Sequence, residues 1–365
     1  MDHGTVAIYD QRGLTWAATH ATAGRRAEAA SFADRVAPGA LRLDMGCGAG
    51  RYLPHLGTPA VALDASAVML AACRDAVPSA LYVQADVEHL PFARHAVGGA
   101  WSWMTHLHVP RVRLPLALWD LHRALAVGAP FAIQLLEGTH EGDDLPGDEL
   151  GGRFMTGWTP PRLVDVVTGA GFDIEPGSVV VSGDELRLRA RRARTLADTV
   201  RPGMRLLVCG VNPSLYSADA GVGYGRPGNR FWPAALAAGI VTRDRDPLDA
   251  VTRHGMGMTD FVKRATRTAA EVTHDEYRQG FARVGRLVEW LAPGVVCFVG
   301  LSGWRSAVNP KAVAGLQPES IGGRPAYLMP STSGLNARTT VGQLADHLAA
   351  AAAVADASGT GQAAS

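Results

Sequence analysis

The chain has 365 residues, 47% hydrophobic and 19% charged, the balance of ordinary globular domains at a length that one core seldom organises, so two domains are expected. Its formal net charge of +1 hides an asymmetry: residues 1–185 hold 13 basic against 21 acidic side chains, net −8, and residues 186–365 hold 22 against 13, net +9. Only the second half is therefore expected to meet a polyanion. No run of 18 apolar residues and no basic-then-apolar leader occurs, so a membrane is not an expected partner and a cytoplasmic location is. Cys47, Cys73, Cys209 and Cys297 form no CxxC pair, which argues against a metal site, a cysteine-ligated cluster or a disulfide framework.

In chain order, strand-like apolar runs fall at 41–46, 60–65, 81–86, 99–104 and 130–136, with helical stretches at Pro115–Ala126 and Pro160–Ala170. Repeated strand–helix units predict a parallel sheet covered on both faces. Ser178–Arg191 reads as a hairpin closing the first domain, since apolar and alternating segments flank the turn signal SGDE. A linker is expected over 195–203. A second α/β domain then begins with the strand at 205–212, followed by helical patterns at 229–239 and 274–291, strands at 295–300 and 326–331, and a helix from about Val341. The expected domains are 1–194 and 204–350, with a disordered tail at 351–365.

Asp44-x-Gly46-x-Gly48-x-Gly50 sits between a strand and a helical stretch, where glycines let the backbone approach a ligand closely. The next two strands end at Asp64, suited to ribose hydroxyls, and Asp86. A dinucleotide dehydrogenase would share the glycine turn and the ribose acid. The Leu-Pro-Phe after Asp86 and the terminal hairpin favour another reading. The segment 15–192 resembles the class I S-adenosylmethionine-dependent methyltransferases. The resemblance implies S-adenosylmethionine as cofactor, with Asp64 on its ribose and Asp86 near the adenine amino group. The methyl acceptor is unknown. His106 and His108 are candidate bases on it or ordinary loop histidines.

In the second half, Gly210-Val211-Asn212-Pro213-Ser214-Leu215 follows a strand directly, and a neutral amide there can orient a water. Tyr224 offers a ring for stacking, and Gly228-Asn229-Arg230-Phe231-Trp232-Pro233 opens a helix. Past the last strand, Ser331-Thr332-Ser333-Gly334-Leu335-Asn336-Ala337-Arg338 presents an apolar tip with a cation nearby. Each has a bland reading singly, as turn, core or loop. Their ordered occurrence at strand ends is far more specific.

From about Pro202 to Leu348 the chain resembles the mismatch-specific uracil/thymine DNA glycosylases, the phrases PGMRLLVCGVNPSLYSA and GRPGNRFWPAAL carrying the likeness. The fold class expected is therefore α/β in two domains: a Rossmann-like methyltransferase sheet, then an α/β/α sandwich like that of uracil-DNA glycosylases. The resemblance implies that Asn212 positions the attacking water and Tyr224 stacks on the flipped base. It implies a base pocket of Val211, Ser217, Tyr224, Asn229, Asp260, Ser331 and Ser333. Gly334, Leu335, Asn336 and Arg338 would contact DNA, with Leu335 filling the gap in the stack. Asp260 departs from relatives that carry Lys or Asn there: it could polarise water, alter base preference, or cap a helix. Asn212 stands where the fast single-strand enzymes place an aspartate, so turnover should be slow.

The function expected is excision of uracil, and of thymine or other damaged pyrimidines, opposite guanine in double-stranded DNA. It would start base excision repair at the nucleoid without a cofactor for the glycosylase. The alternative is a methyltransferase carrying a catalytically weak, glycosylase-like DNA-binding module.

Overall fold

The computed structural model describes residues 1–19 and 24–359, and the chain divides into two compact units, Met1–Ala193 and Arg194–Ser365.

In unit 1, α1 (His3–Thr19) and α2 (Gly24–Ala33) precede β1 (Arg42–Met45), α3 (Leu53–Leu56), β2 (Ala60–Asp64), α4 (Ala67–Ala76), β3 (Leu81–Gln84) and β4 (Gly99–Trp103). Then come α5 (Leu114–Ala124), β5 (Pro130–Glu137), β6 (Glu141–Gly142), β7 (Met155–Trp158), α6 (Pro160–Gly169), β8 (Phe172–Ile174), β9 (Val180–Ser182) and β10 (Glu185–Arg192). The sheet order is β3-β2-β1-β4-β5-β10-β8, parallel through β5 and antiparallel at β10 and β8. β1 and β4 are buried along their whole length, which is why they read as unbroken apolar runs rather than alternating ones. Because β1 lies between β2 and β4, strand order reverses there, and the reversal opens a crevice beyond the carboxyl ends of the strands. The hairpin forms as predicted, β9 pairing with β10 across Gly183 at φ +62°. Its long arm β10 is interior, between β5 and β8.

Unit 2 contains β11 (Leu206–Gly210), α7 (Leu215–Ala220), α8 (Phe231–Ala237), α9 (Pro247–His254), β12 (Met256–Asp260) and α10 (His274–Leu291). It continues with β13 (Val295–Val299), α11 (Ser302–Ala307), β14 (Gly315–Ile321), β15 (Arg324–Met329) and α12 (Val341–Gly359). The order β12-β11-β13-β15-β14 is parallel except for β14. α9 starts on an Asp246 cap with Pro247 in its first turn and stops at Gly255; α10 starts on a Thr273/Glu276 capping box. β12, β14, α1 and α2 carry no strong periodic signal and appear only in the structure.

Three expectations are corrected. Residues 195–203 are not a free linker. Thr199 exchanges backbone hydrogen bonds with Met258, the Thr195 hydroxyl reaches the Lys263 carbonyl, and Asp198 is buried against Lys263 Nζ (2.7 Å) and Arg283 Nη1 (2.8 Å). Residues 351–359 are not a disordered tail but the last turns of α12, with Ala351, Ala352 and Ala355 packed in the core; the remainder of that expected tail, 360–365, lies outside the described residues. Alanine carries no long side chain to show its burial in the sequence. Finally, the charge count by halves cuts the chain at 185, inside the expected domain 1–194, and Arg187, Arg189, Arg191 and Arg192 belong with unit 1. There Arg187 pairs with Glu28, and Arg189 and Arg191 with Glu175. Unit 1 then holds 17 basic against 21 acidic residues, net −4, and unit 2 holds 18 against 13, net +5. The asymmetry keeps its sign and loses about half its size.

No helix among the described residues is long and apolar enough to cross a membrane.

Removing one partner of a buried ion pair leaves an uncompensated charge, at a cost of about 3–5 kcal/mol. Asp198→Ala, which strands Lys263 and Arg283, should lower the urea midpoint of unit 2 accordingly. A midpoint unchanged from wild type would mean that the 195–203 segment contributes nothing to the unit.

Candidate functional site

In unit 1 a cavity of about 330 Å³ opens at the reversal point, and Gly46, Gly48 and Asp64 line it. Gly46 (φ +66°) has no room for a side chain, since a Cβ would lie 2.3 Å from Thr105 Oγ1. Gly48 (φ +53°) has its nearest neighbour at 3.6 Å, so here it is the left-handed backbone that requires glycine. Its N–H donates to Asp64 Oδ2 at 2.8 Å and the Ser66 N–H to Oδ1 at 2.9 Å, which aims the carboxylate across the glycine loop. Asp44 lies below the loop, 1% exposed, with Oδ2 lacking a hydrogen-bond partner among the described residues. Burial, and then the nearby Asp64 carboxylate, push Asp44 up to about 8. A carboxyl held so far from its charged form, beside a second carboxylate, suits a ligand that brings positive charge and a vicinal diol.

Asp86 departs from its expected place on the cavity wall. The Met1 amino group, which is on that wall, lies against its carboxylate at 2.7 Å, and the Glu88 N–H donates to its other oxygen at 2.9 Å. The two histidines are not loop residues in water. His106 and His108 are buried, and burial pushes both down to about 4. His106 Nδ1 meets Ser102 Oγ at 2.6 Å, and His108 faces the cavity.

In unit 2, Asn212 stands two residues beyond β11, half-buried. Its amide nitrogen donates to Thr266 Oγ1 at 2.7 Å and to the Arg264 carbonyl at 2.9 Å. Thr266 gives its own hydroxyl proton to the Thr268 carbonyl at 2.7 Å, so its oxygen must accept from Asn212. Both amide hydrogens are thereby committed to protein, and Oδ1 is the end left to accept from a water. Thr266 and Arg264 are absent from the sequence reading; the threonine-rich RATRT was the available signal.

Beside Asn212, the Asp260 carboxyl and the Tyr224 hydroxyl converge over Gly210: a Cβ there would lie 2.3 Å from Asp260 Oδ1 and 3.0 Å from Tyr224 Oη. Phe231 backs one face of the Tyr224 ring, centroids 4.3 Å apart and 21° between planes. Burial holds the Asp260 carboxyl at about 6 against the pull of Lys263. It caps no helix; it ends β12, and its carbonyl accepts from Arg283 at 2.7 Å.

The remaining predicted residues divide. Val211 follows β11 directly, its carbonyl accepting from the Val262 N–H, so it shares the Asn212 turn. Asn229 Oδ1 accepts from the Phe231 N–H and shapes the start of α8, while Ser217 is buried with its hydroxyl 3.1 Å from that of Ser214. Ser331 and Ser333 accept from the N–H groups of Ser333 and Leu335, folding the loop, and Asn336 bonds within it to the Ser331 carbonyl at 2.8 Å. Asn336 is therefore spent on the loop rather than turned outward. Gly334 lies where a Cβ would be 3.1 Å from the Gly228 carbonyl, joining the two motifs. Leu335 is 93% exposed and the Arg338 side chain is exposed. Arg230, unassigned from sequence, organises this loop by donating to the carbonyls of Ser333 (2.9 Å), Asn336 (2.5 Å) and Thr339.

Residues 43–133 match the family described as Methyltransferase domain, and residues 197–353 match the Uracil DNA glycosylase superfamily. The chain joins these two domains. Similar solved structures include DhpI in complex with SAH (19% identity over 53% of this chain and 99% of that one, TM-score 0.42). A chain of the complex between the Haloferax volcanii Trm112 methyltransferase activator and a putative methyltransferase shares 15% identity (53% and 100%, TM-score 0.41). A SAM-dependent methyltransferase of Methanosarcina mazei also shares 15% (44% and 95%, TM-score 0.38).

The strained acid of the methyltransferase domain has a measurable sign. With its folded pKa raised to about 8 over an ordinary 3.8, Asp44 contributes stability below pH 4 that is lost as pH rises to 8. Asp44→Asn should match wild type in urea midpoint near pH 4, gain on it steadily to pH 8 and hold the gain above. A constant difference across pH would show that Asp44 titrates normally.

Proposed function

We propose that the glycosylase-superfamily domain hydrolyses the N-glycosidic bond of uracil mispaired with guanine in duplex DNA, with thymine and other damaged pyrimidines as further substrates, and that the methyltransferase domain binds S-adenosylmethionine. The clamp on Asn212 carries the first reading. Base excision needs a water held near C1′ and support for the departing base. An amide whose two hydrogens are fixed by Arg264 and Thr266 presents its oxygen to such a water in one orientation. The neutral amide orients the water without deprotonating it fully, so a weakly paired lesion with a good leaving group is the fitting substrate.

Lys263, the lysine of this segment, has its ammonium on Asp198 at 2.7 Å. Water rather than an amine is thus the nucleophile in this reading, and the reaction ends at an abasic site. The net charge of +5 on unit 2, with Arg226, Arg267 and Arg338 exposed, suits a phosphate backbone. Leu335, almost wholly exposed at the tip of a loop pinned by Arg230, suits entry into the space the base vacates. For the other domain, the support is Asp64, whose two oxygens are already oriented by Gly48 and Ser66 and keep lone pairs for ribose hydroxyls, together with the Asp44 carboxyl below them. The bound cofactor would supply an activated methyl group.

The test is incubation with duplexes carrying G·U, G·T and A·U and with single-stranded uracil, read by alkaline cleavage. On G·U, Asn212→Ala should lose roughly 10²–10³ in single-turnover rate with DNA affinity kept, by analogy with removing one transition-state-stabilising donor. Leu335→Ala should instead weaken the flipped complex, most at sites flanked by G·C pairs, where extrusion is costliest. Asn212→Ala cleaving at the wild-type rate, or no cleavage of any duplex by wild type, would refute the reading; the second result would leave a DNA-binding module.

Calorimetric titration with S-adenosylmethionine tests the other domain. Asp64→Ala should weaken binding at least about tenfold, the scale of one charge-assisted hydrogen bond. Equal affinity in both proteins would place the ribose elsewhere.

A further inference from the structure

Beyond the glycine loop and Asp64, the cavity of the methyltransferase domain continues along Tyr9, Trp16, Trp103, His108, Arg153 and Met155. The polar groups in that stretch form one chain with every proton assigned. His108 Nδ1 lies 2.7 Å from the Phe154 carbonyl and must donate to it, which leaves Nε2 as an acceptor. The Tyr9 hydroxyl, 3.1 Å away, donates to Nε2, and its oxygen in turn accepts from Arg153 Nη1 at 2.8 Å. Arg153 is held from its other edge by Asp148, with Nε donating to Oδ1 at 2.9 Å, and its guanidinium lies over the rings of Tyr9 and Trp16. Its carbon is 5.5 and 5.2 Å from their centroids.

This wall offers a cation but no base, the Tyr9 proton being held on His108 Nε2. His108 is buried and held near 4, Asp148 faces Arg153, and Asp64 accepts from two backbone N–H groups. Cys47 and Tyr52, also on the wall, are raised, Cys47 first by its contact with Cys73 and Tyr52 by burial. A neutral hydroxyl acceptor would need a base to take its proton. An amine acceptor would leave with a positive charge beside Arg153. A carboxylate needs neither: it is already ionised at neutral pH, and its geometry matches a guanidinium edge. The aromatic and thioether walls suit an apolar body behind it.

We propose that the methyltransferase domain takes a small apolar carboxylic acid as its anion, docked on the Arg153 guanidinium that the Tyr9 hydroxyl positions, and converts it to the methyl ester. The inference rests on the cofactor reading above. In the transfer, a carboxylate oxygen forms the bond to the methyl carbon, the carbon–sulfur bond breaks with its electron pair kept on sulfur, and anion and sulfonium give two neutral products. No proton moves, as a wall without a base requires.

The experiment titrates the full chain, loaded with S-adenosylhomocysteine, with benzoate, phenylacetate and hexanoate and with their neutral amides. At least one acid should bind about tenfold or more tighter than its amide, the scale of a charge-assisted pair. Arg153→Met should erase that preference with S-adenosylhomocysteine affinity unchanged. Tyr9→Phe, which removes the acceptor that positions Arg153 Nη1 and leaves the Asp148 pair intact, should weaken the acid several-fold and serves as the deciding variant if Arg153→Met does not fold. Label from methyl-tritiated S-adenosylmethionine should pass to an extractable ester of the bound acid. Acids binding no better than amides would overturn the proposal. So would Arg153→Met or Tyr9→Phe lowering S-adenosylhomocysteine affinity while sparing the acid, because these residues would then hold the cofactor's own carboxylate. If wild type binds no S-adenosylhomocysteine, the cofactor reading falls by itself, and the same acid and amide titrations on the free protein still decide the anion site.

Discussion

Asp198 holds the glycosylase-superfamily domain together at the point where its site is built. Its carboxylate is 3% exposed and accepts from Arg283, Lys263 and Thr259, and Arg283 continues to the Asp260 carbonyl. The residues so joined come from the entry segment, the end of β12, the turn after it and the interior of α10. That turn also supplies the Arg264 carbonyl and Thr266 that orient Asn212. A buried charge tolerates little movement of its partners, since each lost contact exposes an uncompensated ion to low dielectric. Geometry at the Asn212 amide therefore depends on a carboxylate that does not touch it.

The two domains use the same location, the carboxyl ends of parallel strands, with opposite electrostatics. In the methyltransferase domain, carboxyls gather: burial raises both Asp44 and Asp64, and the Asp64 carboxylate adds to the cost of ionising Asp44, an arrangement that a cationic nucleoside would relieve. In the glycosylase-superfamily domain the residue two beyond β11, Asn212, is a neutral amide, and the acid nearby, Asp260, is kept high by burial. On the proposed reading, a site that releases an electron-rich base is poorly served by a permanent anion on its floor. The raised Asp260 lessens that conflict.

The motif residues divide into those that face the site and those that build it. Asn212, Tyr224 and Leu335 are presented by the fold; Asn229, Ser217, Ser331 and Asn336 spend their polar atoms inside the turns that present them. A sequence match weights both groups alike, because each is needed for the same geometry. The hydrogen-bond partners separate them.

Periodicity and turn chemistry in the sequence determined the α/β class, the central strands of both sheets, the hairpin at 178–191, the glycine loop and the position of Asn212. These are local properties: continuous apolar runs for strands buried on both faces, glycine where φ is positive, paired capping residues at α10. The tertiary structure alone decided what depends on contacts distant in sequence. It folded the expected linker into unit 2 through Asp198, and it extended α12 through alanines whose burial no polar pattern signals. It paired Arg187 of β10 with Glu28 in the acidic unit, and it chose Thr266 and Arg230 as the supports of Asn212 and of the loop that carries Leu335. A side chain's partner lies tens of residues away in each of these cases, and only chain closure brings the two into contact.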